Sequence, residues 1–159
     1  MFLAAVTASA ISALAQGGPF ASSLSIAVSP SQVNFILPLS GISSGSSPVS
    51  ITTTWTIQRG GTEVSVYAYF ANPPAALSSG NLSIPSSKVF GRLPGGTFMP
   101  FTATGPFSPG GSLLVFSQQV RNNKRTTRTD PLDLQIDTTG LNLQPGVYTG
   151  TLRIQAIAF

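Results

Sequence analysis

The chain has no cysteine and no histidine, and only four of its 159 residues are acidic: Glu63, Asp130, Asp133 and Asp137. Each absence removes a class of chemistry. Without cysteine there are no disulfide staples and no thiolate nucleophiles or ligands. Without histidine there is no imidazole acid–base catalyst, and zinc loses its commonest nitrogen donor. Asp133 and Asp137 stand on one strand face four residues apart, which separates them by about 13 Å. Paired glycosidase carboxylates need about 5 to 9.5 Å. No Asp-rich loop gathers the roughly six oxygens that calcium requires. The expectation is a protein that is not an enzyme, with no metal and no cofactor.

Charge is scarce on both sides. Charged residues make up 8% of the chain, against about 25% in an ordinary globular domain. The net charge of +4 and the pI near 10.1 therefore reflect missing acids more than abundant bases, and nucleic acid is not an expected partner. What is abundant is apolar residues, at 42%, together with 16 Gly and 13 Pro scattered without period. That punctuation suits many short strands and turns, and no segment after the N-terminal run has a useful helical period.

Met1 to Ala15 is an apolar, small-residue run ending in Ala13-Leu14-Ala15, the A-x-A form read by signal peptidase. It is short for a membrane span of about 20 residues. The reading is a signal peptide over residues 1–15, cleaved before Gln16, although the basic segment that normally opens a leader is missing. The alternative is a buried or interfacial N-terminal helix. Residues 16–23 form a Gly/Pro/Ser linker, and residues 24–159 form one domain.

Within that domain, Leu24, Ile26 and Val28 alternate with small polar residues, and Val33, Phe35 and Leu37 continue beyond Pro30: a first strand broken by proline. Val49, Ile51, Thr53, Trp55 and Ile57 make the clearest half-buried strand, with Trp55 facing the core. Arg59-Gly60-Gly61 turns into Val64–Phe70, whose other face carries Tyr67 and Tyr69. Residues 72–87 read as a long surface connection. Val89–Leu93 and Thr97–Phe101 flank the hairpin signal Pro94-Gly95-Gly96, and Leu113–Val120 follows. A basic loop from Arg121 to Asp130 holds Arg121, Lys124, Arg125 and Arg128. Leu132, Leu134 and Ile136 then face inward, with Asp133, Gln135 and Asp137 outward. After Pro145-Gly146 a long strand runs from Tyr148 to Phe159.

A tyrosine just past a turn, entering a strand, is similar to the tyrosine corner of immunoglobulin-like sandwiches, where the phenol bonds back to the preceding backbone. Two stretches resemble bacterial immunoglobulin-like modules of the BACON kind: Val28-Ser29-Pro30-Ser31-Gln32-Val33-Asn34-Phe35 and Gly146-Val147-Tyr148-Thr149-Gly150-Thr151-Leu152. The resemblance implies an all-β, immunoglobulin-like antiparallel Greek-key sandwich. Those modules add a closing strand after this last stretch, whereas this sequence ends there in Phe159. That ending resembles instead the subunits of chaperone-usher pili and the spore-coat-U-like secreted proteins, which leave a groove for a neighbour's N-terminal extension; their usual disulfide is absent here.

The resemblance implies a secreted bacterial protein of the cell surface, fimbrial or adhesive, that self-associates by strand addition. The alternative is an extracellular carbohydrate-binding module. Leu24–Ser29 is the expected cover for the last strand, in cis rather than in trans. Candidate ligand contacts are Tyr67 and Tyr69, as a sugar-stacking platform, and Arg121, Lys124, Arg125 and Arg128, toward an anionic polysaccharide, lipid headgroups or nucleic acid. The bland readings are aromatics packed beneath a loop and a solvated hairpin tip.

Overall fold

A computed structural model describes residues 2–11, 23–57, 62–120 and 124–158. Among the described residues fourteen strands follow one another: β1 (Phe2–Ile11), β2 (Ser23–Ser29), β3 (Gln32–Leu37), β4 (Ile42–Ser44), β5 (Val49–Thr56), β6 (Thr62–Phe70), β7 (Leu77–Ser79), β8 (Leu82–Ile84), β9 (Val89–Arg92), β10 (Met99–Pro100), β11 (Ala103–Thr104), β12 (Pro109–Val120), β13 (Thr126–Asp137) and β14 (Val147–Ala158). Two single-turn 3-10 segments, Pro73–Ala75 and Ser86–Lys88, are the helical elements among the described residues. The chain is all-β, as its turn-rich, alternating sequence predicts.

The strands form two sheets. The larger runs β11-β12-β6-β14-β1-β3, with β7 on β14 and β8 on β7; the smaller runs β10-β9-β13-β5-β2, with β4 on β13. Both bury their alternate residues in one core. The smaller sheet contributes Val49, Ile51, Trp55, Leu132, Leu134 and Ile136; the larger contributes Val33, Phe35, Val64, Val66, Phe70, Leu152 and Ile154. Trp55 meets Phe116 of the opposite sheet with ring centroids 6.0 Å apart, and Phe70 meets Phe101 edge-on at 5.2 Å. Period-2 burial along β5 and β3 follows from strand geometry: one face meets the core while the other meets water.

Four structural findings bear on those expectations. First, the sheets include Phe2–Ile11, which lies outside the domain boundary expected at residue 24. An apolar leader and a buried strand share a composition, and alternation of Phe2, Ala4, Val6 and Ala8 toward the core suits the strand. The expected cleavage point and linker fall mainly in residues 12–22, outside the described residues.

Second, Leu24–Ser29 does not cover the last strand. β2 pairs antiparallel with β5, from Ser23↔Thr56 to Ser29↔Ser50, in the smaller sheet, while β3, just past Pro30, pairs with β1 in the larger. Pro30 has no N–H for a ladder and marks where the chain changes sheets.

Third, residues 72–87 are more than a surface connection. β7 and β8 form a small hairpin, Ala76, Leu77 and Ile84 are buried, and Ser78 pairs with Thr149 of β14. Fourth, the basic loop is shorter than expected, because β13 begins at Thr126.

The outer face of the smaller sheet carries ranks of hydroxyls. Thr52 meets Thr129 and Thr54 meets Thr127, each pair with Oγ1 atoms 3.0 Å apart, and the Ser25 hydroxyl donates to the Thr54 carbonyl at 3.4 Å.

Candidate functional site

The arrangement with most functional content surrounds β14. One of its edges is taken by β6, from Leu152↔Phe70 to Ala158↔Val64, and β7 takes over at Thr149. The other edge is covered by β1, and this pairing is parallel: Leu3↔Val147 through Ile11↔Gln155. β1 is also antiparallel to β3, from Phe2↔Leu37 to Thr7↔Gln32. A single N-terminal strand thus fills a slot between β14 and β3. Without it, both neighbours would present unpaired N–H and C=O groups, the condition that invites strand addition.

The slot is apolar inside. Val6 is fully buried and Ala4 is 1% exposed. The small side chains of Ala4 and Ala8 alternate with Phe2 and Val6, and burial of the two larger ones contributes on the order of 1.5–3 kcal/mol each. Outside, Leu3, Val147 and Ile36 are cross-strand neighbours on solvent-facing positions, all exposed.

Tyr148 stands at the entry to β14, fully buried, and its phenol does bond back to the preceding backbone. The hydroxyl donates to the Gln144 carbonyl at 3.1 Å and accepts from the Gln144 N–H at 3.2 Å. Both bonds hold residues 144–148 as a fixed corner, which sets where β14 begins.

The expected ligand contacts are dispersed. Tyr69 is buried, its ring stacked on Phe107 with centroids 5.5 Å apart, and its hydroxyl donates to Gln155 Oε1 at 3.0 Å. Tyr67 meets the same Phe107 edge-on at 5.9 Å. The covering segment is the one before β12, and the paired rings do not form a free platform.

Among the basic residues, Lys124 and Arg125 are exposed, and Arg121 lies outside the described residues. Arg128 belongs to β13: its guanidinium lies 4.3 Å from the Phe116 ring centroid and bonds Asp130 through Nε and Nη2 at 2.8–3.0 Å. Asp130 is mostly buried, so Arg128 serves to neutralise it.

Of the other acids, Glu63 accepts hydrogen bonds from the Ser65 and Ser117 hydroxyls. Asp137 is held below the usual carboxylate range by hydrogen bonds from Thr139, assisted by Lys88. No cluster of three or more metal-ligating acids exists among the described residues, and no helix there is long and apolar enough to cross a membrane.

No family model and no curated protein matches the chain. Among solved structures, the chain is similar to AvmM, which catalyses macrocyclization in alchivemycin A biosynthesis. The identity is 10% and the TM-score 0.21, over 86% of this chain and 87% of that one. A likeness of that degree fixes neither fold nor chemistry.

Proposed function

We propose that this chain is a secreted, non-enzymatic structural subunit of a bacterial surface assembly: an immunoglobulin-like Greek-key sandwich joined to its neighbours by strand addition. One observation carries the reading. The edge of β14 is covered by a single N-terminal strand, β1, connected to β2 through residues 12–22. Such a strand is exchangeable in principle, since the same register and the same four inward side chains can be offered by another chain.

The reading also joins two facts that otherwise compete. Residues 1–15 carry the composition and A-x-A ending of a leader, and residues 2–11 fill the slot. Cleavage before Gln16 would vacate the slot, and an apolar groove with two open strand edges is then filled by a donor strand or it aggregates.

The test is N-terminal sequencing of secreted protein combined with unheated SDS gels and size-exclusion chromatography. Material beginning at Gln16 is expected to run as a ladder or as a complex with a strand donor, collapsing to one band on boiling. Folded, monomeric material beginning at Gln16 would overturn the proposal.

A further inference from the structure

The outer face of the smaller sheet contains a trough that is independent of the β14 slot. Its floor is the outward row of β13: Asp133, Gln135 and Asp137. Residues 44–48 and Ile42 form one wall, and Phe90, Arg92 and Phe98 the other. Two depressions of about 300 and 150 Å³ lie in line along β13 and share Phe98 and Gln135. β4 holds the first wall in place by pairing Ser44 with Gln135, and Gly45 N–H donates to the Leu134 carbonyl at 2.9 Å. β9 holds the second by pairing Arg92 with Asp133.

The polar groups of the trough are fixed by one another. Arg92 donates from Nε and Nη2 to Asp133 Oδ2 at 3.2 and 2.8 Å, while its guanidinium lies 4.5 Å from the Phe98 ring centroid. Nη1 of Arg92 and Oδ1 of Asp133 have no partner among the described residues. Gln135 donates to the Ser44 hydroxyl at 3.3 Å, which leaves its Oε1 as an acceptor. Lys88 reaches Asp137 at 3.7 Å and donates to the Thr139 carbonyl at 2.8 Å. A donor, two acceptors and partly exposed phenyl rings are therefore presented together on a rigid sheet, so little side-chain freedom is lost on binding.

Charge decides the ligand class. The two bases are each matched by an acid, so the trough carries no net charge to attract a polyanion or a polycation. A ligand must satisfy donors and acceptors at once and cover aromatic surface. We infer that this trough binds a neutral saccharide, with its hydroxyls on Arg92, Asp133 and Gln135 and an apolar ring face against Phe98 and Phe90. The face continues along β13 into the hydroxyl ranks at Thr129 and Thr127, which extends the polar, uncharged track for a longer chain.

Affinity electrophoresis tests this. With a pI near 10.1 the protein runs to the cathode in an acidic native gel. Gels are cast with soluble neutral β-glucan, mannan, galactan or xylan, and one with alginate as the polyanion. Retardation by at least one neutral polymer is expected. It should weaken about three- to tenfold in Phe98→Ala, the range of one lost ring contact, and in Gln135→Ala, but not in Lys124→Gln. Because Phe98 also props Arg92, each variant's melting temperature is measured, and Gln135→Ala decides the matter if Phe98→Ala is unfolded. Retardation by alginate alone, by no polymer, or equally in wild type and Gln135→Ala overturns the inference. None of these outcomes bears on strand addition at β14.

Discussion

Tyr148 and Thr53 are both fully buried, and their hydroxyls have opposite fates. The phenol of Tyr148 makes two bonds with Gln144, whereas Thr53 Oγ1 has no partner among the described residues. Removing each hydroxyl should therefore shift stability in opposite directions. Tyr148→Phe leaves the Gln144 N–H and carbonyl unpaired and should cost about 1–2 kcal/mol. Thr53→Val keeps the branched shape between Ile51 and Trp55 while deleting a buried, unsatisfied group, and should stabilise by about 1 kcal/mol. Urea unfolding at constant m-value reads both: an unchanged midpoint for Tyr148→Phe, or a lowered one for Thr53→Val, refutes the respective account.

Arg128 and Lys124 make a second contrast at this scale. Sequence places them in one basic loop, but Arg128 is stacked and paired while Lys124 is exposed. Lys124→Gln should leave the midpoint within about 0.5 kcal/mol. Arg128→Gln should cost about 1–3 kcal/mol, because it strips charge-assisted bonds from a mostly buried Asp130. Equal effects in the same unfolding assay would return Arg128 to the solvated tip.

At the scale of elements, alternation was legible and partnership was not. The inward rows of β5, β6 and β13 stand in the sequence as Val49 to Trp55, Val64 to Phe70 and Leu132 to Ile136, because a strand with one dry face must alternate. Nothing in Leu24–Ser29 or Val33–Leu37 says which sheet either joins; Pro30 announces a break but not its direction. The Tyr148 corner was legible because a phenol beside a turn has few other backbone groups within reach. The trough escaped notice because Phe98, Arg92, Asp133 and Ser44 come from separate segments and converge only through the register of β4, β9 and β13.

The β7–β8 hairpin was missed for want of length, since two three-residue strands leave no period. It sits close against β14 because residue 150 is glycine: a Cβ there would overlap the Ala76 carbonyl oxygen. Gly150→Ala should therefore push the hairpin off β14 and cost about 1–3 kcal/mol. Amide exchange at Ser78 and Thr149 should accelerate with it. Unchanged exchange with unchanged stability would show that the approach is looser than described.

For the whole molecule the deciding element is β1. Val6 is fully buried in the hydrophobic core, so Val6→Asp asks a carboxylate to be buried there, and β1 should be expelled instead. The variant is expected to bind a hydrophobic dye and to self-associate, and a synthetic peptide of residues 2–11 should restore the monomer. A Val6→Asp protein that stays monomeric with an unchanged melting temperature would remove β1 from its role. The sequence disclosed the apolar run but not its partner: the edge of β14 expected to be bare is covered by β1, because an apolar leader and a buried strand share a composition.

The parallel pairing of β1 with β14 also sets an order of events. β1 is synthesised before β14, with about 135 residues between them, on the order of ten seconds at ordinary elongation rates. β3 follows soon after β1 and can engage it early, but the second half of the slot does not exist until β14 has been made. Throughout that interval β1 has one partner out of two. If β1 is exchanged between chains as proposed, this interval is when its own β14 and a neighbour's compete for it, with the outcome set by local concentration and by how long β14 is delayed.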